Sequence, residues 1–340
     1  MPRVTVLMPT YNVAPWIEDS IQSVLKQTYR DFELLVVDDG STDDTLAHVR
    51  SIQDPRIRIA AFPDNVGLAE NLNRGLGLIN TELVARMDGD DIAEPDWLET
   101  GVHVLDTMPE VGICSFGFQF FGTKTSLVRF PEHNEDSKAQ MLFGCTVIVP
   151  VMRRRVFTDN NLRYRADTFP AEDYSLWARA YRVAKVYNVQ RTLFHYRTHP
   201  TQISTARREA QIVKSNEVRL QMLRWLSPDF TEKEEQYFVG PFLSPQLSSK
   251  QDLKERKVFC DRIIDRNRSV GHFNENSLQR RMREHLTLTL YNTIVEHYFK
   301  EGYSISRYIH YLGSGWALKT NIHYETRFLF RSLLSKGLSK

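Results

Sequence analysis

The sequence predicts an α/β chain: a doubly wound, mostly parallel sheet flanked by helices, followed by a mainly helical C-terminal region. Three observations carry this. Over the first hundred residues short apolar runs alternate with longer amphipathic ones, the connections between them are short, and the polar loops 9–12, 38–41 and 88–91 each fall at the carboxyl end of a strand. Strand–helix alternation argues for parallel pairing. Open sheets of that kind bind ligands outside the carboxyl ends of their strands.

Residues 4–8 read as a buried strand, and residues 14–27 as a helix with Ile17, Ile21, Val24 and Leu25 on one face. A second strand at 32–37 runs into Asp38, Asp39, Gly40 and Ser41, after which Thr42 or Asp43 can cap a helix ending near Ser51. Further elements are a strand at 57–61, a helix at 68–79 and a strand at 83–87. From 111 to 151 the pattern turns β-rich, with strands at 113–121, 126–130 and 146–151. A helix at 171–184 precedes strands at 185–189 and 193–197. Beyond residue 206 the pattern is helical at 212–226, 251–266, 278–299 and 327–334, with a Ser/Pro-containing hinge at 227–249. The expected domains are 1–205, in two halves (1–110 and 111–205), and a helical region 206–340.

With 41% hydrophobic and 25% charged residues, a 340-residue chain can bury a substantial core. A formal charge of +2 gives no support to nucleic-acid binding. Cys114, Cys145 and Cys260 are widely spaced and form no CxxC pair, which argues against a disulfide framework or structural zinc and for a reducing compartment. The N-terminus enters a strand pattern and does not resemble a signal peptide, and no apolar run reaches the length of a membrane span. A cytoplasmic location, at or near the inner face of the membrane, is expected.

The decisive stretch is Val84 to Ile92, an apolar strand running into Asp88, Asp90 and Asp91 around Gly89. Crowded carboxylates repel one another unless a cation lies among them, and oxygen-rich sites suit Mg²⁺ or Mn²⁺ shared with substrate phosphates. The alternative is a solvated acidic turn. Asp38 and Asp39 offer a carboxylate to the imide N–H of uracil, while Pro9, Thr10, Tyr11 and Asn12 offer a ring and local donors to a nucleoside. A strand end with a capping turn is the plain reading of either loop. Asn65, Gly67 and Asn73 open and line the next helix, whose N-terminus favours phosphate. No third glycine completes a dinucleotide fingerprint around Gly75 and Gly77, which excludes a Rossmann dehydrogenase. Glu172 and Asp173 begin a helix, and Asp173 is the candidate base for deprotonating a sugar hydroxyl; acids stabilised by the helix dipole are the alternative. His199 is a candidate for the metal or the diphosphate, with Arg197 balancing charge, or else a structural loop histidine. Arg153 to Arg155 read as a solvated basic face, and Asn267-Arg268-Ser269 as an unused glycosylation sequon.

Taken together, residues 6–12, 36–43, 65–68, 85–91 and 172–173 resemble glycosyltransferase family 2. The resemblance implies a GT-A fold and an inverting enzyme that uses a UDP-sugar and Mn²⁺ or Mg²⁺. It also implies contacts from Asp39 to uracil, Tyr11 to the nucleoside and Asp88 to the ribose, a metal held by Asp90 with Asp88 and His199, and Asp173 as base. Pro9, Thr10, Asn12, Asn65, Gly67, Asn73 and Gly89 would complete the nucleotide pocket. The glutamine–arginine–tryptophan signature and the membrane helices of the processive synthases are missing, which favours transfer of one sugar per acceptor. That sugar would be of glucose, galactose or N-acetylhexosamine type, and the acceptor a glycan or lipid-linked hydroxyl in surface polysaccharide or glycolipid synthesis.

Two other classes compete. A nucleotidyltransferase would use triphosphates, and this chain lacks the glycine-rich basic loop near the first strand that such enzymes use. A non-catalytic carbohydrate-binding module would tolerate loss of Asp173. Finally, residues 306–340 carry six Lys or Arg against Glu325, interleaved with aromatic and aliphatic side chains. Such an end can lie on an anionic membrane surface or pack as a terminal helix with its charges solvated.

Overall fold

The computed structural model describes residues 2–243, 250–313 and 322–334. Nine strands form one sheet: β1 (Val4–Thr10), β2 (Phe32–Asp39), β3 (Ile57–Phe62), β4 (Leu83–Arg86), β5 (Ile92–Ala93), β6 (Val111–Gly122), β7 (Ser126–Val128), β8 (Val151–Arg153) and β9 (Lys185–Thr198). Their order is β3-β2-β1-β4-β8-β6-β9-β5, with β7 on β6. Pairing is parallel across β3-β2-β1-β4 and between β6 and β9, and antiparallel where β8, β7 and β5 join. Strand order reverses direction at β1, so the crevice beyond β1 and β4 is where a doubly wound sheet receives its ligand.

Helices α1 (Ile17–Leu25), α2 (Thr45–Ser51), α3 (Leu68–Gly77), α4 (Trp97–Thr107), α5 (Asn134–Gln140), α6 (Arg155–Thr158), α7 (Glu172–Ala180) and α8 (Ile203–Ala206) complete this part. Ile17, Ile21 and Val24 of α1 are fully buried in the core that also holds Val4, Val6 and Met8 of β1. Each such side chain contributes about 1.5–3 kcal/mol by leaving water. α3 approaches β1 closely enough that a Cβ at Gly75 would meet Leu7 Cδ1 at 2.4 Å. The chain divides into two compact units, Met1–Val218 and Arg219–Lys340, and α9 (Arg208–Arg224) runs through the boundary.

Three expectations need correction. The strand expected at 146–151 is confined to Val151–Arg153. Thr146 is drawn away from the sheet by hydrogen bonds from Ser137 Oγ at 3.0 Å and with the Tyr181 hydroxyl at 2.9 Å, and Val149 adopts φ 45° just before Pro150. The strands expected at 185–189 and 193–197 are one strand, continuous through a bulged register opposite Gly117. The hinge expected at 227–249 contains α10 (Glu232–Leu243). A capping box starts that helix: the Thr231 N–H donates to Glu234 Oε2 at 2.8 Å, and the Glu234 N–H donates to Thr231 Oγ1 at 3.3 Å.

The second unit continues with α11 (Lys250–Val270), α12 (Glu275–Ile294), a π turn (Val295–Phe299), α13 (Ile305–Gly313) and α14 (Ile322–Leu334). Its aromatic core gathers Phe299, Tyr311 and Phe328. Asn267 of the sequon is buried, its amide paired with the Phe273 backbone at 2.8 Å in both directions. No helix among the described residues is long and apolar enough to cross a membrane.

Candidate active site

The carboxyl ends of β1 and β2 are laced together before any ligand is considered. Thr10 Oγ1 donates to Asp38 Oδ1 at 3.1 Å, and Asp38 also accepts the Ser41 N–H at 3.0 Å and the Ser41 hydroxyl at 2.5 Å. Asn12, next to Pro9, Thr10 and Tyr11, has φ 53°, a left-handed conformation that asparagine tolerates. Its Oδ1 accepts the Thr42 N–H at 2.8 Å and so holds the following loop. Tyr11 is left 46% exposed, an unpacked ring with a polar tip.

Asp39 is buried and accepts the N–H groups of Val66 at 3.0 Å and Gly67 at 2.8 Å, with Arg74 Nη1 at 3.5 Å. A carboxylate offers about four lone-pair sites, so one remains for a ligand. Asn65 Oδ1 also accepts the Gly67 N–H, at 3.1 Å. The Asn73 amide donates to the Tyr164 carbonyl at 3.0 Å and accepts the Tyr164 N–H at 2.9 Å, which ties α3 to residue 164. Gly89 lets the acidic loop lie on the first one, since a Cβ there would meet Thr10 Cγ2 and Ile17 Cδ1 at 3.1 Å.

Arg86 ends β4 and is only 6% exposed. Its Nη2 lies 2.9 Å from Asp88 Oδ1 and its Nη1 donates to Asp173 Oδ2 at 2.9 Å. A guanidinium fork suits two carboxylates at once. Asp173 lies in the first turn of α7, where the helix dipole favours an acid. Burial pushes the Asp88 carboxyl up to about 6 against the pull of Arg86. Burial, reinforced by Asp173, pushes that of Glu172 up to about 8. Four buried polar atoms here have no hydrogen-bond partner: Arg86 Nε, Tyr164 Oη, Glu172 Oε2 and Asp173 Oδ1. Buried polar atoms are ordinarily paired. Their concentration beside one charge bridge marks a place for the polar groups of a ligand.

Across the crevice, His199 Nε2 is 3.1 Å from Asp90 Oδ2, and the His199 ring lies on Trp16 with centroids 3.8 Å apart. Asp91 has a structural role: buried, with its carboxyl pushed well up by that burial, it accepts the Arg197 N–H at 2.8 Å. Arg197 Nε in turn donates to the Asp90 carbonyl at 2.7 Å. The expected trio of Asp88, Asp90 and His199 does not assemble; among the described residues no group of three metal-capable side chains forms, because Asp88 is held by Arg86. Asp90 and His199 remain together, and a carboxylate with an imidazole fits a divalent ion whose other ligands are substrate oxygens.

Sequence reasoning singled out neither Arg86 nor Tyr164 nor Glu172 for a role. An arginine closing an apolar strand was a readable sign of a buried charge, whereas nothing in the pattern distinguishes Tyr164. The basic run is also tied down, with Arg153 Nε donating to the Val111 carbonyl and Arg154 Nε to that of Thr81, both at 3.0 Å.

Residues 5–185 match the family model described as Glycosyl transferase family 2. An uncharacterized glycosyltransferase of Haemophilus influenzae is 32% identical over 219 residues, which is 60% of this chain and 68% of that protein. The succinoglycan biosynthesis protein ExoO of Rhizobium meliloti is 30% identical over 197 residues, 53% of this chain and 56% of its own. Among solved structures, S. aureus TarS 1-349 in complex with UDP-GlcNAc has the same fold, with a TM-score of 0.60 at 17% identity, covering 89% of this chain and 93% of that one.

Proposed function

The chain belongs to glycosyltransferase family 2, and from that premise we propose that it moves one sugar, of glucose, galactose or N-acetylhexosamine type, from a UDP-sugar to a hydroxyl of a glycan or lipid-linked acceptor, with inversion. The observation that carries this is the Arg86 bridge, which orients Asp173 through Oδ2 and leaves Oδ1 unpartnered. UDP-GlcNAc in the TarS complex supports the choice of donor, and the succinoglycan role in the name of ExoO supports a polysaccharide pathway.

In this reading the remaining acceptor site of Asp39 takes the uracil imide N–H, Tyr11 covers the nucleoside and Asp88 receives a ribose hydroxyl. Pro9, Thr10, Asn12, Asn65, Gly67 and Gly89 shape the backbone around them. Asp173 Oδ1 accepts the proton of the acceptor hydroxyl as that oxygen bonds to the anomeric carbon. The bond to UDP breaks on the opposite face, so an α-linked donor yields a β-glycoside. Asp90 and His199 would hold Mn²⁺ or Mg²⁺, which supplies positive charge against the departing diphosphate. Residues 1–110 serve the donor and 111–205 the acceptor. Incubation with a panel of UDP-sugars and Mn²⁺ tests the reading: release of UDP from at least one is expected, and release of pyrophosphate from nucleoside triphosphates, with no UDP from any UDP-sugar, would replace it with nucleotidyl transfer.

A membrane-surface role for residues 206–340 has its own observation. Ile309 and Leu312 of α13 and Leu329, Phe330 and Leu333 of α14 are exposed, Phe330 by 65%, beside the exposed Arg327 and Arg331. We propose that this face rests on anionic lipid and brings a lipid-linked acceptor within reach. Trp316, Lys319, Lys336 and Lys340, counted in the basic tail, lie outside the described residues.

A further inference from the structure

Tyr164 is only 3% exposed, its ring edge-on to Trp177 with centroids 6.5 Å apart, and its hydroxyl has no hydrogen-bond partner. An unpaired buried hydroxyl costs about 1–3 kcal/mol. The residue is nevertheless fixed with care, since Asn73 of α3 pairs with both its N–H and its carbonyl as a neighbouring strand would. Around the phenol are the charges of Asp173, Arg86, Asp88 and Glu172. Glu172, 6% exposed, and Asp173 each present an oxygen that is also unpartnered.

Placement identifies the ligand. The nucleoside has its surfaces at Tyr11 and Asp39, and the departing diphosphate has Asp90 and His199. What must lie between Asp88 and Asp173, the two carboxylates that Arg86 joins, is the transferred sugar. The unpartnered oxygen of Asp173 wants an O–H donor, whereas the phenol of Tyr164 and the raised carboxyl of Glu172 can each donate and accept. We propose that the Tyr164 hydroxyl, with Glu172 beside it, reads a hydroxyl of the donor sugar, and that Asn73 is the positioning residue that holds Tyr164 there. This rests on the UDP-sugar reading of the same site. A sugar lacking the matched hydroxyl leaves the buried pair unsatisfied, which is how a polar site rejects an analogue.

Calorimetric titration of the wild type, Tyr164→Phe and Asn73→Ala with UDP, UDP-glucose, UDP-galactose and UDP-GlcNAc in Mn²⁺ tests it. Tyr164→Phe is expected to keep UDP affinity within about twofold, which also shows that it has folded. The same variant should weaken the best UDP-sugar about tenfold and narrow the spread among sugars, a loss consistent with one buried hydrogen bond. Asn73→Ala should lower the same ratio of sugar to UDP affinity with Tyr164 intact. An unchanged ratio in Tyr164→Phe, with normal UDP binding, overturns the role of Tyr164 alone. Loss of transfer with donor affinities untouched overturns the assignment to the donor sugar. Failure of the wild type to bind UDP overturns the nucleotide-sugar reading and this proposal with it.

Discussion

Arg86 Nη1 donates to Asp173 Oδ2 at 2.9 Å across 87 residues of sequence, and the same guanidinium holds Asp88 Oδ1 at 2.9 Å. One buried cation thus sets the spacing between the acid assigned to the ribose and the acid assigned to the acceptor proton. Breaking a buried pair by removing one partner leaves the others uncompensated.

Arg86→Met is therefore expected to lose about 3 kcal/mol of stability, read as a lower urea midpoint. The triple variant with Asp88→Asn and Asp173→Asn should recover part of that loss. A midpoint unchanged in Arg86→Met would mean the bridge contributes nothing.

Asp173→Asn keeps the shape of the side chain and removes the basic oxygen. Transfer should fall by about 10²–10⁴-fold, the usual range for a general base, while UDP affinity stays within about twofold. Equal transfer by the variant would assign the proton to another group.

Asp90→Ala and His199→Ala should each abolish the tightening of UDP binding that Mn²⁺ produces over EDTA in the wild type, as expected for ligands shared with substrate phosphates. Calorimetry with and without the ion reads this directly. Retained metal dependence in both variants would place the ion elsewhere.

Glu172 gives a pH signature. Its carboxyl is raised from 4.5 to about 8 in the folded chain, so the folded state holds an extra proton across that window and its contribution to stability falls as pH rises through it. Glu172→Gln does not titrate. Relative to the wild type the variant should gain on the order of 4 kcal/mol between pH 5 and pH 8.5. Parallel stability–pH curves for the two proteins would refute the burial effect.

The double variant Phe330→Ser/Leu333→Ser should lose co-sedimentation with phosphatidylserine vesicles while keeping UDP affinity. Equal sedimentation, or none by the wild type, would end the lipid-surface reading.

The parallel half of the sheet was legible because each of its strands is a short apolar run ending in a polar loop, and that same rule located the crevice. Residues 146–151 misled because periodicity is blind to Thr146, whose hydroxyl has partners on two other elements, 9 and 35 residues away. In the site, Asp90 and His199 were paired correctly as neighbours, 109 residues apart. The pairing of Asn73 with the Tyr164 backbone was not legible, because a helix-lining amide looks the same in sequence whatever it bonds to. The Arg86 bridge was beyond reach for a different reason: a charge partner 87 residues distant leaves no periodic trace.

The bulge in β9 governs how this scaffold tolerates insertions and deletions. Phe116 is paired with Val189, Gly117 with Thr192 and Phe118 with Phe194, so Gln190, Arg191 and Leu193 are all surplus to the ladder. Side chains alternate faces along a strand. Val189 and Phe194 are five residues apart yet oppose Phe116 and Phe118, which are two apart on one face, so the bulge absorbs an odd surplus and breaks the alternation before the ladder resumes. Changes of length are thus expected to be absorbed between residues 190 and 193, where the ladder is already interrupted, and resisted in the uninterrupted stretch from Phe194 to Thr198.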